Sequence, residues 1–105
     1  MKTLSKVTIK PVFLDGYMVS KNDMEENHIY ISEQYETSSH LCLCGCRQLT
    51  ILPLNKPGGW NLIKENDGTI SFIPSILNPL GGHYIITKNV ANMLATCMNP
   101  FPYDI

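Results

Sequence analysis

Three thiols fall within five residues at Cys42-Leu43-Cys44-Gly45-Cys46, and this run restricts the backbone more than any other part of the chain. In an extended strand the three side chains would share one face, but Cys42 and Cys46 would stand about 13 Å apart at roughly 3.3 Å per residue. Sulfurs on one tetrahedral zinc, with Zn–S near 2.3 Å, lie far closer together. For the thiols to act as a set, the chain must fold sharply inside the motif. Gly45 suits that bend, because it reaches positive φ without a Cβ penalty. Leu41 and Leu43 then point away from the sulfurs, into the core.

Free cysteines often serve as small buried apolar groups. Three of them around a glycine favour metal ligation instead, and a thiolate set indicates Zn2+. The spacing is not the common C-x-x-C knuckle. A fourth donor has to come from elsewhere. His83 follows the pair Gly81-Gly82 and completes a Cys3His set, Cys97 is the other thiol of the chain, and His40 stands two residues before the motif. We rank them in that order.

At 105 residues the chain suits one hydrophobic core, and we expect a single domain over 1–105. The net charge is −1 with no cluster of Lys or Arg, so the electrostatic footprint that phosphate binding requires is missing and nucleic acid ranks low as a partner. The start, Met1-Lys2-Thr3-Leu4-Ser5-Lys6, leads into an alternating segment and not into the apolar core of a signal peptide. No run approaches the length of a membrane span. A reducing, cytoplasmic location is the expectation, and there four cysteines read as metal ligands or structural thiols before disulfides.

Val7 to Leu14 reads as a strand, with Pro11 marking an edge or a bend, and Asp15-Gly16 as a turn. Met18 and Val19 open a second short strand, Lys21 to Asn27 is a loop, and His28 to Ser32 alternates as a half-buried strand does. Gln48 to Leu54 is β-rich and runs into the turn cluster Asn55-Lys56-Pro57-Gly58-Gly59. Trp60 to Lys64 and Thr69 to Ile73 flank Asn66-Asp67-Gly68, the strongest short hairpin signal present. Pro74 to Gly82 reads as irregular, His83 to Thr87 as a strand, Lys88-Asn89 as a tight turn, and Val90 to Met98 as a last strand or short helical piece. The tail from Asn99 to Tyr103 holds two prolines and is not regular structure. Short strands at 8–12-residue spacing, with almost no 3.6-residue periodicity, predict a mainly β fold: an antiparallel sandwich or partly open barrel carrying a zinc site.

Several of these segments together resemble a small bacterial and phage family, domain-of-unknown-function family 6527. They are His40 to Cys46, Leu52-Pro53-Leu54, Trp60-Asn61-Leu62, Thr69 to Ile76 and His83 to Ile86, which follow a C-x-C-G-C, W-x-L, P-S-I and H-Y pattern from about His40 to Val90. Members resemble metal-binding proteins and are often encoded beside ubiquitin-like proteins with their activating and conjugating enzymes. The resemblance implies a peptidase (a hydrolase) that processes a ubiquitin-like protein or removes it from conjugates. Many relatives carry a further cysteine shortly before the H-Y pair, where this chain has Asn78-Pro79-Leu80-Gly81-Gly82. If that cysteine is a ligand in relatives, this chain has lost it or replaced it with another donor.

Three thiolates and a histidine leave no open position for water and reduce the Lewis acidity of zinc, so the expected metal is structural. Hydrolysis then needs another nucleophile. Ser75, set between Pro74 and Ile76, is the candidate, with His83 or His40 as general base. A zinc-bound His83 cannot also take the serine proton, so the two roles exclude each other. The bland role for Ser75 is a loop hydroxyl bonded to backbone. No H-E-x-x-H, G-x-S-x-G or phosphate-binding loop is present. Two other classes compete: a noncatalytic zinc-stabilised interaction module anchored by aromatics such as Trp60, Tyr30, Tyr35 and Tyr84, and a redox thiol switch.

Overall fold

The computed structural model describes residues 6–78 and 82–95. Ten strands carry the described chain: β1 (Lys6–Thr8), β2 (Lys10–Phe13), β3 (His28–Ser32), β4 (Thr37–Leu41), β5 (Leu49–Pro53), β6 (Asn61–Lys64), β7 (Ile70–Ile73), β8 (Ile76–Leu77), β9 (His83–Thr87) and β10 (Val90–Ala95), with one 3-10 turn at Lys21–Asp23. They form two four-stranded sheets, β1-β10-β9-β8 and β2-β3-β4-β5, and a two-stranded hairpin, β6-β7. The fold is mainly β, as expected. No helix among the described residues is long and apolar enough to cross a membrane.

The main core lies between the sheets. Ile29 and Ile31 of β3 and Leu52 of β5 meet Ile76 of β8, Tyr84 and Ile86 of β9, and Ala91 and Met93 of β10, while Ile70 and Phe72 of β7 join them. Alternation along each strand explains the choice: Ile29 and Ile31 share a face, and Tyr30 between them turns to a second cluster with Met24 and Leu41. Burying a large apolar side chain contributes roughly 1.5–3 kcal/mol, so these ten residues supply the main drive for closing the two sheets together.

Two hairpins follow local chemistry. Glu65 N–H donates to Thr69 O, with Gly68 at φ +89° closing the turn between β6 and β7. Lys88 and Asn89, at φ +47° and +66°, both take the left-handed conformation that a two-residue turn between twisted strands requires.

Four expectations are revised. The segment Val7 to Leu14 is two strands, not one: it crosses between sheets at the buried Ile9, pairing first with β10 and then with β3. The β2–β3 pair is parallel, an exception within otherwise antiparallel sheets, and β2 with its Pro11 is an edge strand. Met18 and Val19 form no strand, and pack on the second cluster. Pro74 to Gly82 is not wholly irregular, because β8 lies within it. The tail from Asn99 lies outside the described residues.

Candidate active site and thiol cluster

β7 ends at Ile73, and the chain re-enters a sheet two residues later as β8. β8 pairs antiparallel with β9, with Ile76 opposite Tyr84 and Leu77 opposite His83. Side chains alternate across a strand, so Ser75 and Leu77 emerge on the same face as His83 and Ile85, while Ile76 and Tyr84 go into the core. On that outer face Ser75 Oγ and His83 Nε2 lie 2.8 Å apart. Both residues are half-buried. The indole Nε1–H of Trp60 donates to Ser75 O at 3.2 Å and holds the serine backbone from its outer side. Among the described residues no carboxylate hydrogen-bonds to the His83 ring, so the arrangement is a serine–histidine pair without an acid.

Beside Gly82, at the start of β9, lies the cysteine turn. Gly45 N–H donates to Cys42 O at 3.1 Å, and Gly45 adopts φ +99°, so the glycine makes the predicted bend. The bend gathers the sulfurs of Cys42, Cys44 and Cys46, which lie within 4.8 Å of one another. Tetrahedral geometry with a Zn–S distance of about 2.3 Å places ligand sulfurs roughly 3.8 Å apart, so the three sulfurs are spaced for one such ion. Cys42 and Cys46 are free thiols, whereas Cys44 is disulfide-bonded, against the expectation of thiols throughout, and would have to be reduced to serve as a third thiolate. Burial, followed by the neighbouring Cys42 sulfur, pushes the Cys46 thiol up from its ordinary value. A cation at the centre removes that penalty, because it favours the thiolate. Leu41 and Leu43 are buried as expected, but in different clusters, and Cys42 itself belongs to the main core.

The two assemblies touch. Gly82 N–H donates to Cys42 Sγ at 3.4 Å, one residue before His83. A Cβ on Gly82 would stand 3.0 Å from Cys44 Cβ and 3.1 Å from Ala95 O, so only glycine lets β9 start this close to the cysteine turn.

His83, ranked first in the sequence as fourth metal donor, is not among the clustered donor atoms; its Nε2 faces Ser75. His40 is not among them either. It is fully buried on β4, with Nε2 2.7 Å from the Tyr84 hydroxyl. Burial lowers its pKa to about 4, so the ring is neutral at ordinary pH, and it lies against Tyr84 and not against Ser75. Cys97 lies outside the described residues.

Sequence reasoning missed a buried polar network behind the pair. The Tyr84 hydroxyl meets His40 Nε2, accepts from Asn78 Nδ2 at 3.2 Å and from Leu43 N–H at 3.5 Å, and Thr50 Oγ1 donates to Asn78 Oδ1 at 3.1 Å. Burial, then the adjacent Cys42 sulfur, pushes the Tyr84 hydroxyl far above its ordinary pKa. The network ties the β8–β9 hairpin to β4, β5 and the cysteine turn. A hairpin centred on 79–81 would have set 75 opposite 85 and 77 opposite 83. That alternation was the available signal.

No curated protein and no solved structure matches the chain. A family model does: residues 17–94 match that of the bacterial ubiquitination-like system serine protease, BubE. The matched segment encloses the cysteine turn, Ser75 and His83. Spanning roughly three quarters of the sequence and both parts of the site just described, this match places the chain in the BubE family.

Proposed function

We propose that the chain is a serine peptidase in which Ser75 is the nucleophile and His83 the general base, acting on a ubiquitin-like protein or its conjugates in the cytoplasm of a bacterium. The observation that carries this reading is the 2.8 Å separation of Ser75 Oγ and His83 Nε2 on an accessible sheet face. The family to which the chain belongs is described as a serine protease of a ubiquitination-like system, which supplies the substrate class.

The steps follow from the geometry. With the ring protonated at Nδ1, Nε2 takes the hydroxyl proton as Oγ attacks the carbonyl carbon. The adduct collapses, the C–N bond breaks, and the imidazolium gives that proton to the leaving nitrogen. Water then loses a proton to Nε2 and adds to the acyl carbon. The C–Oγ bond breaks and the proton returns to Oγ. Trp60 fixes the serine backbone through its bond to Ser75 O.

Cys42, Cys44 and Cys46 would hold Zn2+, and Cys97 is our choice of fourth ligand, since His83 and His40 are engaged elsewhere. A closed thiolate set makes such an ion a cross-link of the fold and not a Lewis acid for hydrolysis. The domain is read as a single unit over 1–105.

The test is incubation with the precursor of the ubiquitin-like protein of the same system and with its conjugates, read by mass spectrometry. Cleavage that Ser75→Ala abolishes, and that His83→Ala lowers by roughly 10²–10⁴-fold, upholds the peptidase. Stable binding without turnover by the unaltered chain refutes it in favour of a noncatalytic module.

A further inference from the structure

Among the described residues β8 is the outermost strand of its sheet. Its main-chain directions can be assigned. Asn78 N–H donates to Gly82 O at 3.0 Å, so residues 76 and 78 turn their peptide groups toward β9. In an antiparallel ladder the intervening residues turn theirs the other way. Ser75 conforms, because its carbonyl points outward and is taken by the Trp60 indole. The N–H and C=O of Leu77 therefore face away from the sheet, two residues from the serine.

The side chains on this stretch are unusual for an edge. Sheet edges are commonly blunted by charge or proline, whereas Leu77 is 65% exposed, with Ile85 at 37% on the same face and Ile73 at 53% just before Pro74. Leu77 and His83 form the cross-strand pair without ladder bonds, the type in which side chains approach most closely. An exposed leucine thus flanks His83, beside a main-chain donor and acceptor that no described residue pairs.

We infer that an extended segment of the substrate adds to the outer edge of β8 as a fifth strand, paired to the main chain of Leu77, with an apolar substrate side chain seated beside Leu77 and Ile85. The location of the scissile bond rests on the peptidase reading; the strand addition does not. The strand addition follows the spacing. A chain paired at Leu77 lies about 4.8 Å from β8, and each residue advances roughly 3.3 Å, so its next two residues pass Ser75. The Trp60 indole occupies the edge at Ser75 O and ends the ladder there. The occupant is an extended, uncharged stretch of substrate, because the edge runs beside the Ser75–His83 pair and its exposed side chains are apolar.

Binding separates this inference from catalysis. A ten-residue peptide from the C-terminal end of the ubiquitin-like protein of the same system would be titrated against the Ser75→Ala chain. Further peptides would carry a single N-methylated amide at successive positions. Strand addition predicts an alternating pattern, in which the amide paired to Leu77 loses about tenfold in affinity on methylation and its neighbours lose little. Leu77→Asp, at an exposed position that leaves the core intact, should weaken the parent peptide at least tenfold with an unchanged melting temperature. A flat methylation profile, no binding of the parent peptide, or full affinity of Leu77→Asp overturns the inference, whether or not the unaltered chain cleaves. Dimerisation that Leu77→Asp abolishes assigns the edge to a second copy and overturns it as well.

Discussion

Replacing Tyr84 by phenylalanine removes one oxygen from the centre of the molecule while leaving the ring that fills the core. That oxygen serves His40 Nε2 at 2.7 Å and Asn78 Nδ2 at 3.2 Å, with Leu43 N–H at 3.5 Å, the limit of a hydrogen bond. All of these contacts are buried, so no solvent replaces the lost partner. Each buried group left unsatisfied costs about 1–3 kcal/mol. His40 already carries a buried Nδ1 with no partner among the described residues, and the substitution would leave Nε2 in the same state. Counting the two well-formed contacts gives about 3 kcal/mol, equivalent to a fall in melting temperature of roughly 15 °C for a chain of this size. Urea unfolding of Tyr84→Phe beside the unaltered chain, at equal metal content, measures it. A loss below about 1 kcal/mol would falsify the reasoning, since the hydroxyl would then be dispensable to the groups that surround it.

Cys46→Ser should lower bound zinc well below one equivalent, measured by elemental analysis after purification without added metal, and should reduce stability because metal binding and folding are coupled; retention of stoichiometric metal would exclude Cys46 as a ligand. Cys97→Ser is expected to behave likewise, and an undiminished zinc content would return the fourth position to another donor. Gly59→Ala places a Cβ 2.5 Å from the Pro53 carbonyl oxygen and should cost about 1–3 kcal/mol by forcing the backbone apart, whereas a neutral result in thermal denaturation would show that the turn after β5 yields freely. Lys64→Ala removes an ion pair to Glu33 whose partners are both more than half exposed, so the change in unfolding free energy should stay under about 1 kcal/mol.

The candidate site divides by range of interaction. The thiol set was legible because its geometry is local: the bend requires one glycine and five consecutive residues, and Gly45 supplies the positive φ. Ser75 and His83 were each legible as reactive side chains, but the role of His83 was not. A histidine behind two glycines suits a metal or a base equally well, and the pairing across β8 and β9 set its ring against Ser75. β8 itself was hidden, since two residues beside a proline carry too little alternation to signal a strand.

The sequence by itself determined the strands with clear alternation, the hairpins at Asn66-Asp67-Gly68 and Lys88-Asn89, and the cysteine turn, because each depends on residues a few positions apart. Tertiary structure alone decided that the chain crosses between sheets at Ile9, that β2 runs parallel to β3, and that His40, Asn78 and Thr50 converge on the Tyr84 hydroxyl. Those outcomes depend on which strands become neighbours once two apolar faces close on each other, and burial does not reveal its partners until the faces have met.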